Sequence, residues 1–155
     1  MNINEKIVFL LRKKKISISI AESCTGGMFS SAITSVSGSS KIFSMGLVTY
    51  SNKAKIKILG VPKKIIETHG AVSRQCCLAM VNNLYKISKS KLCISITGIA
   101  GPKGGTVKKP VGLVYVGLKL NKKILIKRFY IKNNGRKFIQ NQTIKKTFQI
   151  LTLLF

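Results

Sequence analysis

The sequence predicts an α/β fold, a three-layer sandwich in which helices flank a mixed, partly parallel sheet. Segments with helical periodicity alternate along the chain with short apolar runs, which is the pattern of an α/β protein. The run at 92–97 is predominantly apolar, as a buried strand requires. The runs at 111–118 and 123–131 surround a turn at Leu120-Asn121, which predicts an antiparallel hairpin. With 155 residues, 45% of them hydrophobic, the chain can form a core, and we interpret residues 1–155 as one domain.

Local signals place the individual elements along the chain. Asn2 and Glu5 form the capping-box pattern at the start of a first helix, and the strict alternation at 16–20 predicts a strand. Asn52 is the expected cap of a short helix that reaches Leu59. The remaining predicted elements are a turn at 22–27, a helix at 28–36, a strand at 46–51, a helix from Pro62 to about Gly70, a helix capped by Ser73 with an apolar stripe at Cys77, Met80, Leu84 and Ile87, and a final helix from about Arg136.

The formal net charge of +25 is the most conspicuous property of the composition. Only Glu5, Glu22 and Glu67 are acidic, and such a balance favours phosphate-rich partners, including nucleic acid. The lysines are nevertheless scattered through every segment, and no basic motif with interleaved aromatic residues occurs. We therefore attribute the charge to a compositional drift and expect no specific nucleic-acid partner. A basic nucleic-acid-binding domain remains the least favoured alternative.

Other composition signals favour a soluble cytoplasmic protein without a metal. No apolar run approaches the ~20 residues that cross a bilayer, so no membrane association is expected. The first five residues lack the basic and then apolar layout of a secretory signal. The four cysteines include no C-x-x-C pair and His69 stands alone, which argues against a zinc site or a disulfide framework. Cys76, Cys77 and Cys93 are interpreted as core residues in a reducing compartment.

Three unusual segments follow predicted strands, at 21–27, 48–55 and 97–105. Ligands of α/β proteins usually bind at the carboxyl ends of strands. The first segment combines hydroxyls, a carboxylate and two glycines at a strand-to-helix turn, where backbone N–H groups could hold an anion or an oxyanion. A helix cap with closely packed glycines explains the same residues. The third segment is glycine-rich like a phosphate-cradling loop but lacks the P-loop spacing.

The residue inventory restricts how a serine in these segments could act. A serine hydroxyl needs a base before it becomes an effective nucleophile. Because the chain has one histidine and no aspartate, a Ser-His-Asp triad cannot be assembled. A lysine made less basic by burial is the available substitute, and Lys55 lies in the second segment. Taken alone, Lys55 is one of 28 basic residues, and a solvated helix face explains it equally well.

The segments together resemble a known family. In order, the motifs AESCTGG, VTYSNKAK, HGAVS, TGIAGPKGG and KPVG are similar to those of the CinA C-terminal family, whose stand-alone members are nicotinamide-nucleotide deamidases. The resemblance runs from Ile16 to Val116, about two-thirds of the chain. It implies that Ser23 is the nucleophile, that Lys55 is its base and that Tyr50 relays or orients the proton. By the same pattern Cys24, a rival nucleophile beside Ser23, is a packing residue.

The resemblance also implies a reaction and a substrate site. The expected reaction converts the ring carboxamide of nicotinamide mononucleotide to nicotinate mononucleotide and ammonia through an acyl-enzyme, with no cofactor. The expected partner is this small nucleotide, and a homo-oligomer is left open. Backbone N–H groups from 23 to 27 are candidate oxyanion donors. The candidate substrate contacts are Thr25, Gly26, Gly27, Thr97, Gly98, Gly101, Gly104, Gly105 and Arg136.

The sequence departs from the family pattern at three positions. Lys53 and Lys108 stand where the family usually has acidic residues, and Gln140 stands where a second arginine is expected after Gly135-Arg136. These departures motivate an alternative, in which the chain is a catalytically degenerate family member that acts as a binding or scaffold protein.

Overall fold

The computed structural model describes residues 1–155 and contains one five-stranded sheet between two layers of helices. The strand order is β2-β1-β3-β4-β5. Strand β1 lies parallel to both β2 and β3, and β3, β4 and β5 run antiparallel to one another. The strands are β1 (Ile18–Glu22), β2 (Phe43–Val48), β3 (Leu92–Gly98), β4 (Leu113–Leu120) and β5 (Lys123–Tyr130). The predicted mixed sheet is confirmed.

The helices are α1 (Ile3–Lys13), α2 (Met28–Thr34), α3 (Asn52–Lys57), α4 (Lys63–His69), α5 (Arg74–Ser88) and α6 (Arg136–Leu154), with a short 3₁₀ turn at Ser39–Lys41. The capping box of Asn2 and Glu5 is present at the start of α1. None of these helices combines the length and apolarity needed to span a membrane.

Two separate apolar clusters establish the three layers. Alternate residues of β1 face opposite sides of the sheet, so Ile20 packs in the larger cluster and Ala21 in the smaller. The larger cluster joins the sheet to α1, α2 and α6, and the Phe29 and Phe148 rings meet within it at a centroid distance of 4.7 Å. The smaller cluster joins the other face to α5 and to the segment around Leu59. Side chains from both ends of the chain therefore stabilise one face of the sheet.

Several boundaries differ from the sequence prediction. The alternation at 16–20 predicted a strand, but β1 starts at Ile18 and is buried on both faces, because helices cover each face of the sheet. Strand β2 ends at Val48, three residues before the predicted end, since the chain turns there into the start of α3. The cap of α3 is Ser51 rather than Asn52, because the Ser51 hydroxyl accepts the Ala54 N–H. Ile87 was expected in the core stripe of α5 but is 47% exposed.

Candidate active site

Ser23 lies at the carboxyl end of β1, in the turn that leads into α2. Its N–H donates to the Ile96 carbonyl of the neighbouring strand β3 at 3.0 Å, which continues the parallel pairing by one residue. The side chain is 7% exposed and lies at the edge of a cleft of about 250 Å³. The sheet therefore presents the Ser23 hydroxyl to a ligand at the end of a central strand, where the sequence placed it.

Glu22, directly before Ser23, stabilises the turn that carries Ser23. Its carboxylate is fully buried and accepts four hydrogen bonds of 2.6–2.9 Å, from the Thr25 hydroxyl, the Phe29 and Ser30 N–H groups and the Ser30 hydroxyl. The N–H groups at the start of α2 are thus occupied by the protein's own anion. The N–H groups of Phe29 and Ser30 are therefore not available to a substrate anion. Glu22 is one of only three acids in a lysine-rich chain and precedes a predicted helix, and this was the sequence signal for its capping role.

Lys55 reaches Ser23 from the other side of the turn. It lies on α3, its side chain is 2% exposed, and its Nζ is 2.9 Å from Ser23 Oγ. The same Nζ lies 3.0 Å from the Thr49 carbonyl oxygen and 3.1 Å from that of Tyr50. A neutral amine has two N–H bonds and one lone pair. The two carbonyls can accept the two N–H bonds, which leaves the lone pair for the Ser23 hydroxyl proton.

The surroundings of Lys55 favour this neutral form. Burial lowers the pKa of Lys55 from its ordinary value. No carboxylate hydrogen-bonds to its amine, since its three partners are a hydroxyl and two backbone carbonyls. Burial also disfavours the charged form of Cys24, which is the nucleophilic thiolate. Burial raises the pKa of its thiol to about 12, so Cys24 remains a thiol and is a poor nucleophile.

Tyr50 is close to the pair, but its side chain serves a different contact from the one expected. Its backbone carbonyl accepts from Lys55, whereas its hydroxyl accepts from the Arg136 guanidinium. The ring is 56% exposed, and its hydroxyl makes no hydrogen bond to Ser23 or Lys55. The geometry therefore does not support a proton relay through the Tyr50 hydroxyl.

The cleft beside Ser23 brings together about half of the predicted substrate contacts. Among its lining residues are Thr97, Gly98, Gly101, Gly104 and Arg136, together with Lys103, which the sequence analysis did not select. Four predicted contacts are not part of this lining, namely Thr25, Gly26, Gly27 and Gly105. Thr25 is fully buried beneath the turn, where its hydroxyl donates to Glu22, and Gly105 lies on the far side of the glycine loop.

Gly98 is required by the packing of the turn against β3. A Cβ added there would lie 2.7 Å from a Val114 methyl and 3.1 Å from Cys24 Sγ. Contacts this short would displace either β4 or the turn that carries Ser23 and Cys24. Cys24 is therefore a packing residue in the structure, as the resemblance implied.

Helix α6 contributes two side chains to the site. Arg136 donates to the Gly101 carbonyl at 2.7 Å as well as to Tyr50. One helical turn later, Gln140 Nε2 donates to the Cys24 carbonyl at 2.9 Å. From the sequence, Gln140 was recognisable only as a departure from a basic pattern. Its contact lies 116 residues away along the chain, and no local signal points to it.

The fold and the site define this chain as an α/β sandwich protein with a buried Ser–Lys pair at the end of a central strand. The particular family follows from comparison, because the CinA C-terminal domain family matches residues 1–155. The chain belongs to this family. It is 46% identical over 136 residues to a CinA-like protein of Kosmotoga olearia and 44% identical over 143 residues to one of Dictyoglomus thermophilum.

These alignments cover 88% and 92% of this chain but 33% and 35% of the relatives, so the chain spans about a third of their length. Among solved structures, the competence/damage inducible protein CihA from Agrobacterium tumefaciens matches with a TM-score of 0.92 at 36% identity. That match covers 99% of this chain and 96% of the other. None of these names states a reaction.

Proposed function

We propose that this chain is an amide hydrolase in which Ser23 is the nucleophile and Lys55 the general base, and that its substrate is nicotinamide mononucleotide. The main support is the 2.9 Å contact between Lys55 Nζ and Ser23 Oγ, made by a lysine that is 2% exposed. A serine next to a base is the recurring arrangement of nucleophilic catalysis. The choice of substrate rests on the family resemblance of the ordered motifs.

In the first half of the reaction, neutral Lys55 accepts the hydroxyl proton of Ser23 while Oγ attacks the carboxamide carbon. The carbonyl oxygen becomes an oxyanion in the tetrahedral intermediate. Lys55, now an ammonium, returns the proton to the amide nitrogen. The C–N bond then breaks, ammonia leaves, and an ester links Ser23 to the nicotinoyl group.

In the second half, a water molecule takes the position of the leaving group. Lys55 accepts a proton from the water, whose oxygen attacks the ester carbon, and then returns that proton to Ser23 Oγ as the ester bond breaks. The sum is one amide plus one water giving one carboxylic acid and one ammonia. The product is nicotinate mononucleotide, and Lys55 and Ser23 regain their starting protonation.

The charge of the cleft is compatible with a substrate that carries a phosphate. Arg136 and Lys103 line it, and none of its lining residues is acidic. A guanidinium has five N–H donors. The contacts of Arg136 with Gly101 and Tyr50 therefore leave further donors for a phosphate oxygen. Lys55 is buried against Ser23, so we do not count it among the phosphate contacts.

The departures from the family pattern do not affect the catalytic pair. Lys53 and Lys108 are both exposed, and neither hydrogen-bonds to Ser23 or Lys55. Gln140 contacts the turn that carries Ser23 through its amide. The Ser–Lys contact is thus intact beside the substituted positions, which favours an enzyme over a catalytically degenerate scaffold.

The decisive experiment incubates the protein with nicotinamide mononucleotide and measures ammonia and nicotinate mononucleotide together. We expect both products in equal amounts from the wild type. Ser23→Ala should lower the rate by about a thousandfold or more, because the nucleophile is removed. Cys24→Ser is the matched neighbour and should keep most of the activity. A folded wild-type protein that releases no ammonia, or a Cys24→Ser variant that loses activity while Ser23→Ala retains it, would refute the proposal.

A further inference from the structure

The peptide units that follow Ser23 are held by their carbonyl groups and leave their N–H groups without a partner. The Ser23 carbonyl accepts the Gly26 N–H at 3.0 Å, and the Cys24 carbonyl accepts Gln140 Nε2 at 2.9 Å. The N–H of Ser23 itself donates to the Ile96 carbonyl. The N–H groups of Cys24 and Thr25 donate no hydrogen bond within the chain. Of these two residues, Cys24 lines the cleft beside the proposed nucleophile, whereas Thr25 is fully buried.

Holding a carbonyl also orients an N–H group, because the two are fixed on opposite sides of one planar peptide unit. The Ser23 carbonyl belongs to the same unit as the Cys24 N–H, and the Cys24 carbonyl to the same unit as the Thr25 N–H. The first unit is held locally by the turn. The second is held by Gln140, which lies on a different element, and by the contact of the Thr25 hydroxyl with Glu22.

We propose that Gln140 is a positioning residue, which holds the Cys24 carbonyl and thereby fixes Cys24 with its N–H in place to receive the oxyanion. This inference rests on the proposed function of Ser23 as a nucleophile. Backbone donors fixed before the reaction stabilise a developing oxyanion strongly, because they need not reorganise as charge forms. Gln140 acts through the peptide and does not touch the reacting atoms.

The placement of Gln140 explains how a residue that is not basic can hold the Cys24 carbonyl. The contact to the Cys24 carbonyl requires a donor, and glutamine supplies one through its amide. Arg136 lies four residues earlier on the same helix and reaches Gly101 and Tyr50. The start of α6 therefore contacts each of the segments 21–27, 48–55 and 97–105. An arginine at position 140 would also carry N–H donors, so the basic pattern and the glutamine satisfy the same need.

The test compares variants that keep or remove the donor at position 140. Gln140→Leu and Gln140→Glu both lack an N–H at the side-chain end, whereas Gln140→Arg retains several. We expect kcat for nicotinamide mononucleotide to fall about 10- to 100-fold in the first two, with KM changed less than about twofold, because the lost interaction forms only in the transition state. Gln140→Arg should stay within about threefold of wild type. Gln142→Leu is the control, since Gln142 lies on the same helix and its side chain makes no hydrogen bond.

In Gln140→Leu, which adds no charge, the pH dependence of kcat/KM should keep its position, because the proposed base Lys55 is unchanged. A Gln140→Leu enzyme with normal kcat would overturn the inference. So would a higher KM with unchanged kcat, which would make Gln140 a substrate contact. Folding is checked by circular dichroism, and Gln140→Glu, which has nearly the same shape as glutamine, replaces the leucine variant if that variant unfolds.

A fluorophosphonate probe separates this inference from the choice of substrate. Ser23 Oγ displaces fluoride from phosphorus, and the phosphoryl oxygen takes the position of the oxyanion. If the wild type is labelled at Ser23 but does not deamidate the nucleotide, the proposed substrate fails. The inference then stands if Gln140→Leu slows labelling about tenfold and Gln140→Arg does not, and it falls if all three label equally. A wild type that is not labelled at Ser23 overturns both proposals.

Discussion

Replacing Glu22 by glutamine tests whether the buried carboxylate organises the turn that carries Ser23. The substitution preserves size and removes one negative charge and the acceptor capacity of one oxygen. The native carboxylate accepts two hydrogen bonds on each oxygen, from the first turn of α2 and from the hydroxyls of Thr25 and Ser30. In the variant the amide group has no lone pair to offer, so one N–H at the start of α2 loses its acceptor.

The magnitude follows from the groups that lose their partner. A buried N–H left without an acceptor costs about 1–3 kcal/mol. Loss of the negative charge at a helix start costs about 0.3–1 kcal/mol more. We therefore expect the free energy of unfolding to fall by about 1.3–4 kcal/mol in Glu22→Gln. For a chain of this length each kcal/mol shifts Tm by about 2–4 °C, so Tm should fall by about 3–16 °C.

The assay is thermal and urea unfolding of Glu22→Gln beside Glu67→Gln. Glu67 is the matched control, because it carries the same charge but forms an exposed pair with Lys63 at 3.5 Å. Exposed pairs of this kind contribute about 0.3–0.5 kcal/mol, so its Tm should change by less than about 2 °C. If the two variants melt at the same temperature, the four hydrogen bonds of Glu22 do not contribute as argued and the reasoning is refuted.

Three further predictions follow from the site and the fold. Because burial lowers the pKa of Lys55 and the neutral amine is the reactive form, kcat/KM should rise with pH through that lowered pKa and then level off. Lys55→Met and Lys55→Arg should lack this limb and be inactive, whereas Lys57→Met should keep it; an active Lys55→Arg enzyme would exclude the base role. Gly112→Ala should destabilise the protein by more than about 3 kcal/mol in urea unfolding, because its Cβ would overlap the Ile131 carbonyl oxygen. Gly135→Ala has a similar positive φ with open space around it and should lose about 1 kcal/mol; equal losses would contradict the overlap. Binding to unrelated DNA duplexes, measured by fluorescence anisotropy, should be sequence-independent and fall at least tenfold between low and physiological salt, whereas a salt-resistant complex with a preferred sequence would contradict our interpretation of the +25 charge.

Features that depend on neighbouring residues were predictable from the sequence. The capping box of Asn2 and Glu5 spans three residues and forms as expected. The helix and strand types follow from periodicity, and the antiparallel hairpin of β4 and β5 follows from two strand-like runs around a short turn. Ser23 and Lys55 were selected by elimination and by the resemblance together, since their segments follow strands that the periodicity had located.

The misplaced boundaries have one physical cause. The alternation at 16–20 is a pattern of half-buried strands, and burial of β1 on both faces depends on the helices that cover the sheet, which come from elsewhere in the chain. The exposure of Ile87 likewise depends on where α5 ends against the sheet. Periodicity reports a preference for one face and cannot report which neighbours cover it.

The sequence by itself determined the fold class, the family and the identity of the serine and lysine, because motifs and short-range patterns are written in consecutive residues. Only the tertiary structure decided that Lys55 is buried without a carboxylate, that the Tyr50 hydroxyl contacts Arg136, and that Gln140 holds the carbonyl after Ser23. Those contacts join residues 32 to 116 positions apart. Their existence depends on how the sheet and α6 pack, and the pKa and orientation of a catalytic group are set by such neighbours rather than by the group itself.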